Sequence, residues 1–321
     1  MEKILNAIVD EAISKKATDI HFIPGSESVL IKFRINSDMF VYRALEAHIF
    51  EKLLSYLKFI AHLDVSEKNK AQSGMLDYQK DKASYSIRAS TLPQSIGVEA
   101  CVLRIIPTLF QDDGHVEANL LKLMHKGSGL ILISGPTGSG KSTLMYQMLH
   151  YANRLNKQII TIEDPVEQHL VGVVQINVNH KASITYQNAL KAILRCDPDI
   201  IMIGEIRDSD TAKNVINASL SGHLVLTTIH ANSCIGAIHR LQEMGVTNVE
   251  MEQCVEMIIN QRLINTKEAR LRIYESLNRQ DVHAYLSGQQ LSSYLPIGKQ
   301  LEQLIKNHSI SQMEYERYAL E

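Results

Sequence analysis

Tryptophan is absent from this 321-residue chain, and aromatic residues make up only 6% of it. Paths for single-stranded nucleic acid are built from aromatic platforms set among basic side chains, so direct nucleic-acid binding is not expected. Neither sign of charge dominates: 33 Lys and Arg stand against 35 Asp and Glu, which leaves no overall pull towards nucleic acid or anionic lipid. Cysteine is scarce. Cys101, Cys196, Cys234 and Cys254 are scattered, with no Cys-x-x-Cys pair. That pattern suits reduced thiols in a cytosolic protein better than a disulfide framework or a zinc site, and no zinc is expected. No apolar run approaches the ~18 residues of a membrane span, and the N-terminus lacks the form of a signal peptide. The chain is therefore expected in the cytoplasm, and work at a membrane would need a protein partner to take it there.

What remains is an ordinary globular composition, 45% hydrophobic and 21% charged, on a chain long enough for two domains with separate cores. In "ILNAIVDEAISKKA" the residues Ile4, Leu5, Ile8, Val9, Ala12 and Ile13 share one helical face. "DIHFIP" and "VLIKFRI" read as strands, the second alternating Ile31, Phe33 and Ile35 with Lys32 and Arg34. The amphipathic "IFEKLLSYLKFIAHL" follows, then three strand-like pieces, "GMLDY", "ASYSIRAS" and "VEACVLRII". Helices flanking hairpin-compatible strands predict a small α+β domain over 1–108 with a largely antiparallel sheet. The apolar pattern lapses in "PTLFQDDGHV", which predicts a linker over 109–117. From Gly127 onward strand-like pieces ("LILIS", "QIITIE", "DIIMIG", "HLVLTTI") alternate with helical ones. The alternation predicts an α/β domain over 118–321, a mostly parallel sheet with helices on both faces. The last stretch, about 60 residues, reads as polar and helix-rich.

The most informative segment is "ILISGPTGSGKST", residues 131–143. Gly135-Pro136-Thr137-Gly138-Ser139-Gly140-Lys141-Ser142 satisfies the G-x-x-x-x-G-K-[ST] phosphate grip between a predicted strand and a predicted helix, and Thr143 continues it. The glycines let backbone N–H groups and a helix N-terminus close on phosphate oxygens. Lys141 is expected to reach the β- and γ-phosphates, and the Ser142 hydroxyl to ligate Mg²⁺. The grip says that a nucleoside triphosphate is held, not what its energy is spent on.

A grip needs acids to order the metal and the attacking water. "DIIMIGEIRD" offers Glu205, set one glycine beyond the apolar run, where a strand end meets a nucleotide crevice. Glu163-Asp164-Pro165-Val166-Glu167 follows another apolar strand. Glu163 is expected to orient or deprotonate the water, with Glu205 acting through Mg²⁺, partly by way of water. Asp208-Ser209 also reads as a helix N-cap. In "HLVLTTIH" His223 and His230 stand seven positions apart, so on a strand they lie on opposite faces and roughly 23 Å from one another. A shared metal is excluded on that ground. His230, just past the strand, is a candidate γ-phosphate sensor, and His223 a packed histidine.

Together these stretches resemble one family closely, the secretion ATPases of type II secretion and type IV pilus systems, within the RecA-like P-loop fold. "GPTGSGKSTLMY" is similar to its Walker A, "TIEDPVE" to its aspartate box, "CDPDIIMIGEIRD" to its Walker B and "SGHLVLTTIHAN" to its histidine box. "ATDIHFIP", "KFRIN", "SIRASTLP" and "VLRIIP" resemble the preceding PAS-like domain, and "RLQEMGV" and "QRL" carry the likeness to about residue 263. The resemblance implies a RecA-like ATPase domain behind a smaller PAS-like domain, and a homo-hexameric ring. It also implies ATP with Mg²⁺ between the two domains, completed by N-terminal arginines. Arg88 and Arg104 match those arginines by motif. Arg195 matches a further family arginine, and Lys191, four residues earlier, keeps the charge usual there without the planar fork. An arginine over the γ-phosphate would stabilise transition-state charge.

Two family features, a long extra N-terminal domain and a four-cysteine zinc module, have no counterpart in this sequence. In that it resembles the short members that build the competence pseudopilus of Gram-positive bacteria. The expected activity is therefore that of a cytoplasmic ring ATPase, peripheral at the inner face of the membrane through a platform protein. It would drive assembly of a type IV-like pilus or competence pseudopilus for DNA uptake. A pilus retraction motor, a nucleic-acid-translocating RecA-like ATPase and a non-hydrolysing scaffold are the alternatives.

Overall fold

The computed structural model describes all residues except 26, 37, 82, 96, 109, 111–115, 180, 181, 267–269, 292, 293, 320 and 321. The chain forms two compact units, Met1–Phe110 with Glu167–His169, and Gln111–Val166 with Leu170–Glu321. Of the linker expected at 109–117, residues 109 and 111–115 lie outside the described residues.

In the first unit, helix α1 (Glu2–Ser14) precedes β1 (Asp19–Pro24), β2 (Ser28–Ile35) and β3 (Asp38–Glu46). Helix α2 (Ala47–Ile60) follows, then β4 (Gln72–Lys80), β5 (Ala83–Pro93) and β6 (Glu99–Pro107). The six strands form one sheet in the order β3-β2-β1-β6-β5-β4, with antiparallel neighbours throughout. Leu5, Ile8, Val9 and Ala12 of α1 and Phe50, Leu53, Leu54 and Leu57 of α2 bury against inward strand residues such as Ile20, Phe22, Ile31, Phe33, Ile87 and Leu103. Full burial of each large apolar side chain contributes about 1.5–3 kcal/mol, so this one-sided packing accounts for the α+β layer. Five of the six strands follow the sequence pattern. The sixth, β3, pairs along the edge of the sheet and leaves Met39, Phe40 and Val41 exposed, so it carries no inward alternation to read.

The second unit opens with α3 (Ala118–Lys122) and a 3₁₀ turn (Leu123–His125). Next come β7 (Gly129–Ser134), α4 (Lys141–Asn153), β8 (Ile159–Glu163), β9 (Val174–Asn177), α5 (Tyr186–Ile193) and β10 (Ile200–Ile203). They are followed by α6 (Ser209–Leu220), β11 (Leu224–Ile229), α7 (Cys234–Glu243), α8 (Asn248–Cys254), β12 (Val255–Asn265) and β13 (Arg270–Asn278). Helices α9 (Arg279–Leu286), α10 (Ile297–Lys306) and α11 (Gln312–Ala319) complete the chain. The seven-stranded sheet runs β13-β12-β7-β11-β10-β8-β9 and is parallel except for the β12–β13 pair.

Strands β7, β8, β10 and β11 are buried along their whole length, as expected of parallel strands covered on both faces. The end of the chain differs from its sequence reading. Before the last helices, β12 and β13 extend the sheet beside β7. Strand β12 is buried on both faces, so neither a helical nor an alternating period is visible in "VEMIINQRLIN".

Candidate nucleotide site

Because β7, β8, β10 and β11 are parallel, their C-terminal ends lie along one edge of the sheet. Four sequence motifs arrive there together. Strand β7 ends at Ser134 and leads into the phosphate loop, β11 ends before His230, β10 before Gly204 and Glu205, and β8 at Glu163. The crevice at such strand ends is where open α/β sheets take ligands.

The loop has the backbone that an anion cradle requires. Gly135, Gly138 and Gly140 have φ of 141°, 79° and 85°, a region that side-chain-bearing residues rarely enter. Gly140 is also the N-cap of α4. Close approach adds to the demand at Gly135, where a Cβ would lie 2.5 Å from the carbonyl oxygen of Gln261. Pro136 is half-buried, Thr137, Gly138 and Thr143 are exposed, and Lys141 and Ser142 are half-buried at the first turn of α4. The Lys141 ammonium donates to the carbonyls of Gly135 and Pro136, each at 2.9 Å. The Ser139 hydroxyl is buried without a hydrogen-bond partner among the described residues. A cradle of backbone N–H groups, a lysine folded over it and an orphaned hydroxyl fit a polyphosphate.

The two acids sit in different surroundings. Glu163 is 4% exposed. Its Oε2 accepts from the Tyr146 hydroxyl of α4, and its Oε1 accepts from Thr161 Oγ1 at 2.6 Å and Gln175 Nε2 at 3.2 Å. Glu205 is half-buried. Arg207 holds its Oε1, and His230 Nε2 lies 3.3 Å from its Oε2. The Arg207 guanidinium also reaches Asp164 Oδ2 at 3.1 Å; its hydrogen bond to Glu205 raises its pKa further above the ordinary arginine value. Tyr186, the first residue of α5, points at this cluster. Burial pushes its phenol up to about 12, and the Asp164 charge adds to the shift.

Other expected site residues lie elsewhere. Asp208 is the N-cap of α6, accepting from Thr211 N at 2.7 Å. His223 sits before β11, its ring nitrogen 3.3 Å from the Ala218 carbonyl. Arg195 is exposed after α5, close to where β10 begins, so it lies at the opposite end of the sheet from its own phosphate loop. Arg88 and Arg104 belong to the first unit and are register partners on β5 and β6. Arg104 is anchored by Asp19, Nε to Oδ1 at 2.8 Å; Asp19 is 4% exposed and also accepts from Thr18 Oγ1 at 2.8 Å.

Sequence reasoning gave no role to several residues that hold this edge together, among them Tyr146, Gln175, Asn260, Gln261 and Arg262, although Gln261 and Arg262 fall in the "QRL" that carried the family likeness. The signal for the last three was present as three consecutive polar residues in an apolar run, "IINQRLI".

Residues 1–318 match the family described as type II/IV secretion system protein. Among similar proteins, the competence protein ComGA of Bacillus subtilis (strain 168) is 39% identical over 276 residues, 83% of this chain and 76% of that protein. Type II secretion system protein E of Dickeya dadantii (strain 3937) is 39% identical over 272 residues, 82% of this chain and 54% of that protein. The chain thus spans about half the length of the protein E relative and three quarters of the competence protein. Among solved structures, the pilus retraction motor PilT with bound ADP superposes with a TM-score of 0.70 at 26% identity, covering 97% of this chain and 95% of that one.

Proposed function

The chain belongs to the type II/IV secretion system protein family, and from that premise we propose that it is a Mg²⁺-dependent ATPase working as a homo-hexameric ring in the cytoplasm. The ring docks on an inner-membrane platform protein and drives assembly of a type IV-like pilus or competence pseudopilus for DNA uptake. One observation carries the chemistry: the phosphate loop, Glu163, Glu205 and His230 converge on a single edge of the parallel sheet. No helix among the described residues is long and apolar enough to cross a membrane, so attachment through a protein partner is the proposed route.

The loop backbone and Lys141 bind the triphosphate, and His230 reports on the γ-phosphate. The Ser142 hydroxyl and the carboxylates at neighbouring strand ends are the hard oxygen donors that magnesium takes; bound there, the cation neutralises phosphate charge. Between the acids, the geometry favours a division opposite to the sequence expectation. Both oxygens of Glu163 accept hydrogen bonds, from Tyr146, Thr161 and Gln175, so Glu163 is proposed to be the firmly held acid behind the site. Glu205, half-buried beside His230, is the acid placed to orient and deprotonate the attacking water. Arg195 lies at the opposite end of the sheet from its own loop, so a role for it at a nucleotide requires a neighbouring copy, in keeping with a ring. Arg88 and Arg104 are proposed to meet the triphosphate of the assembled ring.

The likeness to a retraction motor supports a second reading, in which the same cycle withdraws pilin rather than adding it. The higher identity to the competence protein favours assembly. ATP turnover by the purified chain tests the chemistry. Lys141→Ala and removal of Mg²⁺ by chelation are each expected to lower it by about 100-fold or more, and wild-type rates under both would refute the assignment. Deletion in cells separates the directions, since loss of an assembly motor leaves cells bald and loss of a retraction motor leaves them over-piliated.

A further inference from the structure

Asn260, Gln261 and Arg262 follow one another in β12, and all three are buried, at 0%, 0% and 4% exposure. Polar groups in such a place are costly unless they are hydrogen-bonded; here side-chain nitrogens donate in two directions, while Gln261 Oε1 has no partner among the described residues. Alternation along the strand sends Gln261 to one face and its neighbours to the other. Gln261 Nε2 donates to the Ser139 carbonyl within the phosphate loop. A Cβ on Gly140 would lie 2.9 Å from that same Nε2, so the loop rests directly on this side chain. On the other face, Asn260 Nδ2 donates to Ser134 Oγ at 2.8 Å and to the Ala231 carbonyl at 2.9 Å. Arg262 Nη1 donates to Asn260 Oδ1 at 2.8 Å, and Nη2 to the Asn232 carbonyl at 3.2 Å. Ala231 and Asn232 are the two residues after His230, whose ring lies against Glu205.

We infer that Asn260 and Arg262 are positioning residues, which hold the turn after β11 in register with the phosphate loop and so set His230 against Glu205. The inference rests on the function proposed above. The planar guanidinium serves Asn260 and Asn232 at once through two differently aimed nitrogens. A lysine offers a single point charge and no such fork, so Arg262→Lys keeps the charge and loses the connection. Neither residue needs to contact nucleotide. Their effect is on turnover, not on binding.

A double-mutant cycle on the purified full chain tests this, with kcat for ATP and the Kd of fluorescent ADP measured for wild type, Arg262→Lys, His230→Ala and the pair. Arg262→Lys is expected to lower kcat by about tenfold with Kd unchanged within about threefold. In the His230→Ala background the same change should cost almost nothing, because residues acting through one another are non-additive. Asn260→Ser, taken through the same cycle, should show the same pattern with folding checked by thermal unfolding. Wild-type kcat in Arg262→Lys, or losses that multiply in both cycles, would overturn the inference. So would losses that follow unfolding alone. Lys141→Ala in the same assay separates the two levels. If it turns over normally, the proposed function fails. If it is inert while the cycles are additive, only the positioning role fails.

Discussion

His230 Nε2 stands 3.3 Å from Glu205 Oε2, across the ends of adjacent strands β11 and β10. The other oxygen of Glu205 is held by Arg207, which itself bridges to Asp164. Under the proposed function this carboxylate, tethered on one side and facing an exposed imidazole on the other, orients and deprotonates the attacking water. Glu205→Gln keeps the shape and removes that proposed base. Its turnover is expected to fall by about 10²–10⁴-fold while ADP binding persists, as measured by steady-state hydrolysis beside equilibrium titration. Loss of ADP binding in parallel would instead assign Glu205 to the cradle.

Gly135 combines a φ of 141° with a hypothetical Cβ only 2.5 Å from the Gln261 carbonyl. Gly135→Ala would force the loop off β12. Nucleotide affinity is expected to drop by about tenfold or more, since a displacement on the order of 1 Å misaligns the backbone donors. Gly138→Ala is the informative partner, because its φ is 79° but nothing lies within 4 Å of its Cβ position. It should lose less affinity, and equal losses would show that backbone conformation, not contact with β12, governs the loop.

Asp19 and Arg104 form a tether on the first unit, and Asp19 is the more buried member. If Arg104 meets the triphosphate, Asp19→Asn loosens the arginine and should lower turnover in the same direction as Arg104→Ala, by about tenfold. Combining the two should cost little more than Arg104→Ala alone. Full turnover in Arg104→Ala would remove the arginine from the mechanism.

Stability in the first unit depends on a pair with no counterpart in the chemistry. Lys58 Nζ lies 2.6 Å from Glu99 Oε2, and both residues are almost fully buried. Lys58 also donates to the Glu67 carbonyl at 2.7 Å. Removing one partner strands a buried charge, so Glu99→Ala should destabilise this unit by about 3–5 kcal/mol, whereas Lys58→Met with Glu99→Leu should cost far less. Hydrogen exchange of β6 amides along a denaturant series resolves this unit from the other.

The sequence was most readable where one local rule decides the outcome. The phosphate loop was legible because its glycines, Lys141 and Ser142 are contiguous and their conformation is local. Asp208 as a helix cap was legible for the same reason. Strand β3 was not, since its exposed Met39, Phe40 and Val41 carry no inward pattern. Strand β12 hid for the opposite reason, being buried on both faces. Glu163 was correctly placed at a strand end, but its partners Tyr146 and Gln175 come from α4 and β9. No spacing in the chain encodes that meeting, which arises from packing of separate elements. The roles proposed for the two acids rest on those partners, which no local pattern in the sequence displays.

The central claim, a nucleotide held by one copy and completed by another, is tested most directly by mixing two inactive variants. Lys141→Ala lacks the grip, and Arg195→Ala lacks the arginine at the far end of the sheet from its own loop. Mixed rings would contain sites with the grip from one copy and the arginine from its neighbour. The account predicts that ATP turnover of the mixture rises well above the sum of the separate variants. A mixture no more active than that sum, or an Arg195→Ala variant that is fully active alone, would contradict it.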